Sequence, residues 1–483
     1  MICTVLISDD LIKISKYIDE AITIGTNIIE IRLDSIKELD LEKLKLIIDN
    51  IKIPLILSFR SEWYTDHILP PKEGRKALIK SLIEFESDYI DFEFPHDITS
   101  ISKIKGKTRP IISAMDFDGV AKIDFNSLLS LAEKYSNAII KISATPNRLE
   151  DLKQLWRWAN KLNKEKIPHI VLGMGSLGSI SRVKYRELGN IWTYGRLDQK
   201  IGEPYLPGMI EISKLKKASE FNSWHFGYIG IHSTSHFINY VLTKIIDISD
   251  VKGIVTPIPI ESFPELDQLL LWINDGLLDG AYIAKNFQQE VITRINRKDI
   301  SIIQTGICNV IVNKEAGITG YNSYISGIKK SISQFSIKKI KRIFIEEINY
   351  LTSSIIQCLY DSAEFIVIRT TKVDEFIKIK KQFPKVLPAE HEYSDSYDLV
   401  VNCYKPEKGY ETVISIPITL IENASIVCDL ESRATDKSFL IEYAEKCGKA
   451  TLTEDLVLIN TCIAAFELWT KKSISLSQFF VDY

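Results

Sequence analysis

Short apolar runs rich in β-branched residues alternate with helix-patterned stretches as far as about residue 197. The runs lie at residues 2–7, 28–34, 53–60, 89–94, 109–117, 138–145, 169–175 and 190–197. Helical periodicity lies between them, for example at 10–24, 71–86, 127–135 and 148–162. Apolar strands between helices are typical of a parallel sheet that is buried on both faces. Eight such units predict a closed (β/α)8 TIM barrel, and a doubly wound open sheet is the alternative.

The second half of the chain has a different pattern. Buried parallel strands with helices between them are predicted at 341–345, 365–369, 398–402 and 426–429, and an apolar helix at 456–469. This pattern favours a small doubly wound, Rossmann-like domain. The predicted domains are a barrel at 1–218, a domain at 225–335 that is completed by 452–483, and the Rossmann-like domain at 338–451. The fold class is therefore expected to be α/β throughout.

Composition and charge exclude several functions. The 483 residues are 45% hydrophobic and 25% charged, which is ordinary for a globular protein. The 60 basic and 63 acidic residues form no basic stripe, so no nucleic-acid partner is expected. No apolar run reaches the roughly 18 residues of a spanning helix, so no membrane partner is expected. The seven scattered cysteines contain no CxxC pair, which favours reduced thiols in the cytoplasm and no metal site.

Charged residues cluster where the predicted barrel strands end, which is where such barrels carry their chemistry. The second run ends in Glu30, Arg32 and Asp34, and their spacing of two points all three side chains into the barrel. Arg60 ends the third run, and Arg182 follows the seventh. Because a planar guanidinium suits bidentate contact with an anion, the three arginines predict a clamp for a carboxylate.

Lys141 is the most unusual of these residues, because it stands between isoleucines in the sixth run. Lysine is rarely buried without a partner. A buried lysine amine beside arginines is one way in which proteins prepare a Schiff-base nucleophile. The alternative is a structural network of ion pairs between Lys141 and Glu30, Asp91 or Glu93.

This set of residues resembles the type I 3-dehydroquinate dehydratases over about residues 1–215. The matching pieces are Glu30-Ile31-Arg32-Leu33-Asp34, Ser58-Phe59-Arg60, Ser113-Ala114-Met115-Asp116-Phe117, Lys141, Ser181-Arg182 and Tyr205-Leu206-Pro207-Gly208-Met209. That family forms an imine between its lysine and the substrate ketone, and a histidine then assists the loss of water that gives 3-dehydroshikimate. The resemblance implies that Lys141 is the Schiff-base lysine. It also implies that the substrate is bound by Glu30, Arg32, Arg60 and Arg182, without any cofactor.

Three positions depart from that family. Met115 stands where the family has its catalytic histidine, and a thioether cannot transfer protons. Tyr205 and Met209 stand where the closing loop has a serine and a glutamine that contact the substrate. General acid–base catalysis contributes about 10²–10⁴-fold, so the loss is expected to be severe unless another group serves. The candidate replacements are His67 and His96, in the loops after the third and fourth runs, and Asp116, although alternation along its run points it away from the position of Met115.

The second half resembles shikimate dehydrogenase over about residues 226–483. The resemblance implies that Ser233 and Ser235 hold a substrate carboxylate and that Asn309 and Asn322 also bind the substrate. A helix N-cap explains the two serines equally well.

The catalytic pair of that family is missing. Its lysine aligns with Gln288 and its aspartate with Tyr324. Lys285 lies three residues from the lysine position, and we expect it to point elsewhere. Hydride transfer by this half is therefore not expected.

The dinucleotide loop is also altered. Where glycines would follow the first strand of the Rossmann-like domain, the chain has Glu346 and Glu347. Only Gly409 and Gly448 occur after residue 328, so the backbone has little freedom to approach a pyrophosphate. Two carboxylates at a helix start would repel that anion. NADP binding is therefore predicted to be lost, although Arg369 matches part of the family's NADP-phosphate site.

The order of the two halves resembles the fused dehydroquinate dehydratase–shikimate dehydrogenase proteins. The predicted function is a dehydratase-like lyase of the shikimate pathway joined to an inactive reductase-like module. A non-catalytic paralogue that binds a pathway metabolite or a partner enzyme is the alternative, and a lyase for another keto acid is a third possibility. The expected partners are a small molecule resembling 3-dehydroquinate and, as an open option, a second copy of the chain in a homodimer.

Overall fold

The computed structural model describes residues 1–60, 72–104, 106–198, 208–231, 236–335, 339–389, 396–405 and 414–481. By its internal contacts the chain divides into two compact units. The first comprises Met1–His225 and Lys252–Ile260, and the second comprises Phe226–Val251 and Glu261–Tyr483. Among the described residues, no helix is both long enough and apolar enough to cross a membrane. The finer domain boundaries given above stay predictions.

The strands are, in chain order, β1 (Ile2–Leu6), β2 (Ile28–Arg32), β3 (Leu55–Ser58), β4 (Tyr89–Glu93), β5 (Arg109–Asp116), β6 (Ile139–Ala144), β7 (His169–Gly173), β8 (Thr193–Arg196), β9 (Ile210–Glu211), β10 (Trp224–Gly230), β11 (Gly253–Pro259), β12 (Gly280–Ile283), β13 (Arg297–Lys298), β14 (Val310–Lys314), β15 (Gly317–Tyr321), β16 (Arg342–Glu346), β17 (Phe365–Arg369), β18 (Val386–Pro388), β19 (Leu399–Asn402), β20 (Ile426–Asp429) and β21 (Ala450–Thr453).

The α-helices are α1 (Leu11–Ile24), α2 (Leu41–Ile48), α3 (Lys72–Glu84), α4 (Phe125–Lys134), α5 (Leu149–Lys164), α6 (Gly175–Gly178), α7 (Ile180–Val183), α8 (Ile212–Ala218), α9 (His236–Ile248), α10 (Phe263–Asn274), α11 (Gln288–Arg294), α12 (Ile300–Thr305), α13 (Tyr324–Ser333), α14 (Thr352–Leu359), α15 (Val373–Gln382), α16 (Ile418–Glu422), α17 (Phe439–Lys446), α18 (Glu454–Thr470) and α19 (Leu476–Phe480). Short 3₁₀ turns lie at Leu33–Ser35, Ile98–Lys103 and Lys285–Phe287.

The first unit contains a curled parallel sheet. Its strands lie in the order β7-β6-β5-β4-β3-β2-β1-β8-β9, and the ladders between neighbours are parallel. A doubly wound sheet reverses its strand order at a switch point, so this sequential order excludes that alternative. The predicted α/β class with a TIM-barrel-like first half is confirmed.

Asn190 links the two ends of the row of eight strands. Within the described residues, β7 and β8 share no ladder. Instead, the Asn190 side chain accepts a hydrogen bond from the Val171 amide at 2.8 Å and donates one to the Val171 carbonyl at 2.9 Å. The Ile191 amide also donates to the His169 carbonyl at 3.1 Å. A side-chain amide thus supplies backbone-like bonds where the ladder is missing.

The barrel interior is filled by layers of inward-facing side chains. Even-numbered and odd-numbered strands contribute alternate layers, as is usual for this architecture. From the amino end upward, the layers are Ile28, Tyr89, Ile139 and Trp192; then Cys3, Ile56, Ile111 and Ile170; then Glu30, Asp91, Lys141 and Tyr194. The apolar lower layers therefore support one charged layer.

The second unit contains two sheets. In the first of them β10, β12, β14, β15 and β13 lie side by side in that order, with β12 parallel to β10 and antiparallel to β14. The other is the fully parallel sheet β18-β17-β16-β19-β20-β21. That order is the 3-2-1-4-5-6 arrangement of Rossmann folds, so the predicted Rossmann-like sheet is confirmed. Helix α18 is buried on most sides and packs closely on α13, where a Cβ on Gly327 would lie 2.3 Å from the Thr461 hydroxyl oxygen.

The Asn190 linkage leads to a prediction. The Asn190→Ala variant leaves the buried amide and carbonyl of Val171 without partners, so its free energy of unfolding should fall by about 2–3 kcal/mol. Urea unfolding monitored by circular dichroism measures this change. Asn50→Ala is the matched control, because the Asn50 side chain is exposed, and we expect a change within about 0.5 kcal/mol. Equal stabilities of the two variants would show that Asn190 does not hold the strands together.

Candidate active site

Lys141 lies in a ring of charges at the centre of the barrel. Its Nζ is 2.9 Å from Glu30 Oε2 and 3.1 Å from Asp91 Oδ2, and it lies 4.4 Å from the centre of the Tyr194 ring. These residues project from β6, β2, β4 and β8, the strands that share one interior layer. Only 5% of Lys141 is exposed. The ion pairs named above as the structural alternative are therefore present, and the lysine is paired mainly with acids.

Both carboxylates beside Lys141 are ionised. Burial acts to raise the pKa of Asp91, but the charges of Arg60 and Lys141 outweigh burial and lower this pKa to about 2. Burial likewise opposes ionisation of Glu30, whereas the charge of Lys141 lowers its pKa overall. Two anions therefore face one ammonium group, which gives the lysine two acceptors for a proton within about 3 Å.

Two of the predicted clamp arginines already hold carboxylates. Arg60 makes a bidentate pair with Asp91 at 3.2 and 2.5 Å. Arg32 makes another with Asp34, at 3.0 and 2.7 Å. Asp34 itself lies in a 3₁₀ turn beyond β2, so the strand ends two residues earlier than the run predicts, and the buried carboxylate pairs with Arg32 of the cavity wall. The chain turns there, and this carboxylate orients Arg32.

Arg182 differs from the other two arginines. It is buried, and its Nη1 donates a long hydrogen bond of 3.3 Å to the Tyr194 carbonyl. Its Nε has no hydrogen-bond partner, and no ion pair joins it to a carboxylate among the described residues. Burial lowers the pKa of the Arg182 guanidinium to about 10. A buried cation without an internal anion is suited to binding the carboxylate of a ligand.

These groups line a small cavity of about 30 Å³. Its charged wall contains Glu30, Arg32, Arg60, Lys141 and Arg182, and its apolar wall includes Met115, Met174 and Met209. Because three thioethers form that wall, it offers no proton-transfer group on the side where the resemblance places a histidine. The predicted site residues Lys141, Met115, Glu30, Arg32, Arg60, Arg182 and Met209 are thus brought together, while their roles stay predictions.

Four residues named from sequence lie outside the described ranges, namely Tyr205, Ser233, Ser235 and His67. His96 is exposed, and it is absent from the lining of the Lys141 cavity. Asp116 is turned away from the cavity and accepts hydrogen bonds from the amides of Asp118 and Lys122.

Sequence reasoning missed two features of this site. Tyr194 provides the aromatic face beside the Lys141 ammonium. Arg75, on α3, pairs with Asp97 and Glu93 and donates to the Phe59 carbonyl. The sequence around Arg75 does not indicate a role at this site, because the residues that Arg75 pairs with lie in other parts of the chain.

In the second unit, the residues at the two altered catalytic positions contact each other. Gln288 Nε2 donates to the Tyr324 hydroxyl at 2.9 Å. Asn309 donates to Ser323 Oγ at 2.9 Å and accepts from the Ser323 amide at 2.8 Å. Asn322 donates to Thr305 and Ser354, at 2.8 and 3.0 Å. The two predicted substrate-binding asparagines are therefore engaged by their own chain.

Lys285 does not lie where the sequence analysis expected. Its Nζ lies 4.3 Å from the centre of the Tyr350 ring, and its side chain lines the same cavity as Tyr324. The expectation that it points elsewhere is therefore wrong, because the 3₁₀ turn Lys285–Phe287 rotates the chain before α11 begins.

The turn after β16 carries two engaged carboxylates. Glu346 pairs with Arg369 at 2.7 Å, so the arginine that was matched to an NADP-phosphate site already holds an anion. Glu347 adopts the left-handed conformation, with φ of 66°, which favours glycine. Its carboxylate accepts hydrogen bonds from the Thr370 hydroxyl, the Thr371 hydroxyl at 2.9 Å and the Thr371 amide at 3.3 Å. The donors beyond β17 are thus satisfied by the chain itself.

No cluster of three or more His, Cys, Asp or Glu side chains suited to a metal ion occurs in the part of the chain that the structure describes.

The contrast between Arg182 and Arg60 leads to a prediction. The pKa of Arg182 in the folded chain lies below its ordinary value of 12.5, so its charge costs stability at all pH values below about 10. Arg182→Met should therefore raise the free energy of unfolding at neutral pH by roughly 1–3 kcal/mol. Arg60→Met should lower it by roughly 3–5 kcal/mol, because Asp91 loses its bidentate partner. Urea unfolding at pH 7 compares the two, and a loss of stability in both variants would contradict the reading of Arg182 as an unpaired charge.

Comparison with known proteins agrees with the barrel geometry. A relative from Methanococcus maripaludis named 3-dehydroquinate dehydratase is 28% identical over 227 residues, which are 46% of this chain and 99% of that protein. A relative from Arabidopsis thaliana named bifunctional 3-dehydroquinate dehydratase/shikimate dehydrogenase, chloroplastic, is 25% identical over 264 residues. The match covers 52% of this chain and 43% of that protein, so it spans less than half of the bifunctional relative.

A solved structure of dehydroquinate dehydratase and shikimate dehydrogenase from S. pombe covers 99% of this chain and 97% of its own, at 18% identity and a TM-score of 0.46. The bifunctional relative and the family match together confirm the predicted resemblance to the fused dehydratase–dehydrogenase proteins. The family model described as type I 3-dehydroquinase matches residues 2–223. Residues 2–223 are therefore similar to the type I 3-dehydroquinases over the whole of the curled parallel sheet.

Proposed function

We propose that the barrel binds 3-dehydroquinate, or a closely similar keto acid, as an imine on Lys141 in a cavity that widens from its present volume of about 30 Å³, and that it dehydrates this substrate slowly. The observation that carries this proposal is the position of Lys141 Nζ, which lies between two ionised carboxylates in a cavity that it shares with Arg182. An amine that attacks a ketone must first lose a proton, and Glu30 and Asp91 are the acceptors within reach. Arg182 binds the carboxylate of the substrate, because it is the clamp arginine without an internal ion pair among the described residues.

The imine step balances with the groups in the cavity. The Lys141 ammonium transfers a proton to Glu30, and the neutral amine then adds to the ketone carbon. The nitrogen of the adduct passes one proton to the former carbonyl oxygen and Glu30 returns its own to the same oxygen, so one water leaves and a positively charged iminium forms. The iminium withdraws electrons from the adjacent carbon, whose proton must be removed before the hydroxyl group leaves as a second water.

Removal of this proton from carbon is the step that we expect to be slow. Met115 supplies no base, and the loss of general base catalysis costs about 10²–10⁴-fold. Glu30, once it has returned its proton, is the ionised acceptor nearest to the imine nitrogen among the described residues. Slow turnover is therefore expected. A second candidate function, binding of the same metabolite without turnover, is favoured by the same Met115.

For the second half we propose that neither NADP binding nor hydride transfer is retained. The contact between Gln288 and Tyr324 supports this, since neither group is a good proton donor to a reduced oxygen at neutral pH. The engaged carboxylates of Glu346 and Glu347 support it further, because they lie where an anionic pyrophosphate would approach. The residues present therefore do not fit the nucleotide that the Rossmann order implies.

The imine proposal predicts a covalent trap. Borohydride added to a mixture of the full chain and 3-dehydroquinate should reduce the iminium and leave one substrate-derived adduct on the peptide that contains Lys141. Mass spectrometry measures this adduct. Met115→His should raise the dehydration rate by about 10²-fold or more, because the position regains a proton-transfer group.

The controls separate imine formation from turnover. Lys141→Met should give no adduct, whereas Lys161→Met, at an exposed helix position, should react as the unchanged chain does. No adduct on Lys141 would overturn the imine proposal. An adduct with no detectable turnover, before and after Met115→His, would favour the binding function.

The nucleotide proposal predicts that 1 mM NADPH does not raise the melting temperature of the full chain. A Kd of 10 µM would add about 2.7 kcal/mol of stability under these conditions, so real binding is easy to detect. If Glu347 is the main obstacle, then Glu347→Gly should give a measurable shift, and Glu375→Gln, in the same cleft, should not. A clear shift of the unchanged chain would refute the proposal.

A further inference from the structure

A second cavity, of about 310 Å³, lies within the second unit. Five of the thirteen residues that line it are aromatic, namely Tyr228, Phe237, Tyr282, Tyr324 and Tyr350. Ligand-binding cavities typically hold roughly 300–1,000 Å³, so this volume suits one small ring compound. None of the residues that line the Lys141 cavity takes part.

The polar atoms of the aromatic walls largely satisfy one another. The Tyr324 hydroxyl accepts from Gln288 at 2.9 Å and from the Tyr282 hydroxyl at 3.3 Å. Asn309 donates to the Tyr282 hydroxyl at 3.4 Å and to Ser323 at 2.9 Å. A ligand with many hydroxyl groups therefore finds few free partners on these walls. The walls instead offer aromatic carbon, which favours an aromatic ring.

Two cations lie over aromatic rings at this cavity. Lys285 Nζ is 4.3 Å from the centre of the Tyr350 ring, and Arg433 Cζ is 6.0 Å from that of Phe237. Among the described residues, neither side chain forms a hydrogen bond or a short ion pair, although the charges of both act against burial, which raises the pKa of Glu454. Aromatic faces hold the two charges in place.

The acids at the same cavity have other partners. Glu454 accepts a hydrogen bond from the Tyr350 hydroxyl at 3.1 Å. Asp455 accepts from the Thr453 hydroxyl at 2.5 Å and from the Ala434 amide at 3.0 Å. Among the described residues, neither carboxylate lies at ion-pair distance from Lys285 or Arg433, so the anionic end of a ligand can still approach the two cations.

We infer that this cavity binds a small aromatic carboxylate, with its ring against the tyrosines and its carboxylate at Lys285 and Arg433. This site goes beyond the proposed function, because it uses no residue of the barrel. It also differs from a site for a polyhydroxylated ring, since among the described residues the amides of Gln288 and Asn309 and the Tyr282 hydroxyl are occupied internally.

Isothermal titration calorimetry with three probes and the full chain tests this inference. 3-Phenylpropanoate has both the ring and the carboxylate, 3-phenylpropan-1-ol lacks the charge, and shikimate replaces the aromatic ring with a polyol. We expect 3-phenylpropanoate to bind at least about tenfold more tightly than either of the others. Lys285→Met and Arg433→Met should each weaken it by about tenfold, and Lys285→Arg should retain most of the affinity.

Two further variants make the result decisive. Lys314→Met removes an exposed lysine of the same unit outside the cavity, and Arg182→Met disables the anion site of the barrel; both should leave the affinity unchanged. Equal or tighter binding of shikimate, equal binding of the alcohol, or loss of binding only with Arg182→Met would each overturn the inference. Melting temperatures of the variants confirm that they are folded. Because the barrel function is tested on Lys141, either proposal can fail alone.

Discussion

The ammonium group of Lys141 is the interaction on which the barrel depends. It lies between Glu30 and Asp91, and Arg60 pairs with Asp91 from the other side. Side chains from β6, β2, β4 and the end of β3 therefore form one network of ion pairs. Removing one partner from such a buried network leaves an uncompensated charge, which costs several kcal/mol. The same network would restrict the proposed chemistry, because the lysine could act as a nucleophile only after a neighbouring carboxylate had taken its proton. Stability and reactivity therefore depend on the same three side chains.

Much of the fold could be predicted from the spacing of apolar runs. All eight predicted barrel strands exist, since alternation of buried strands with helices leaves few other arrangements for a chain of this pattern. The ends of the strands were less predictable: β8 begins at Thr193 rather than at residue 190, and Asp34 lies beyond β2. The role of Asn190 could not be predicted, because a side chain that replaces a missing ladder depends on how far the sheet curls.

The sequence predicts which residues form the candidate site, but it does not predict which of them form ion pairs with each other. A spacing of two along a strand determines which side chains face inward, and this placed Glu30 and Lys141 together across 111 positions of sequence. It could not show that Arg32 and Arg60 already hold carboxylates while Arg182 does not, because pairing depends on distances between strand ends. In the second unit, alignment with a family pointed to Gln288 and Tyr324, but only the fold shows that they are bonded to each other. Lys285 was misplaced because a single 3₁₀ turn changed its direction.

The charged layer has one further consequence. An iminium carries the same single positive charge as the ammonium group from which it forms. A ketone bound to Lys141 as an imine would therefore leave the net charge of the barrel interior unchanged. The counterions Glu30 and Asp91 can therefore keep their positions. No water has to enter the barrel to stabilise their charges. A core assembled around the charge of Lys141 is thus already organised, electrostatically, around the proposed covalent intermediate.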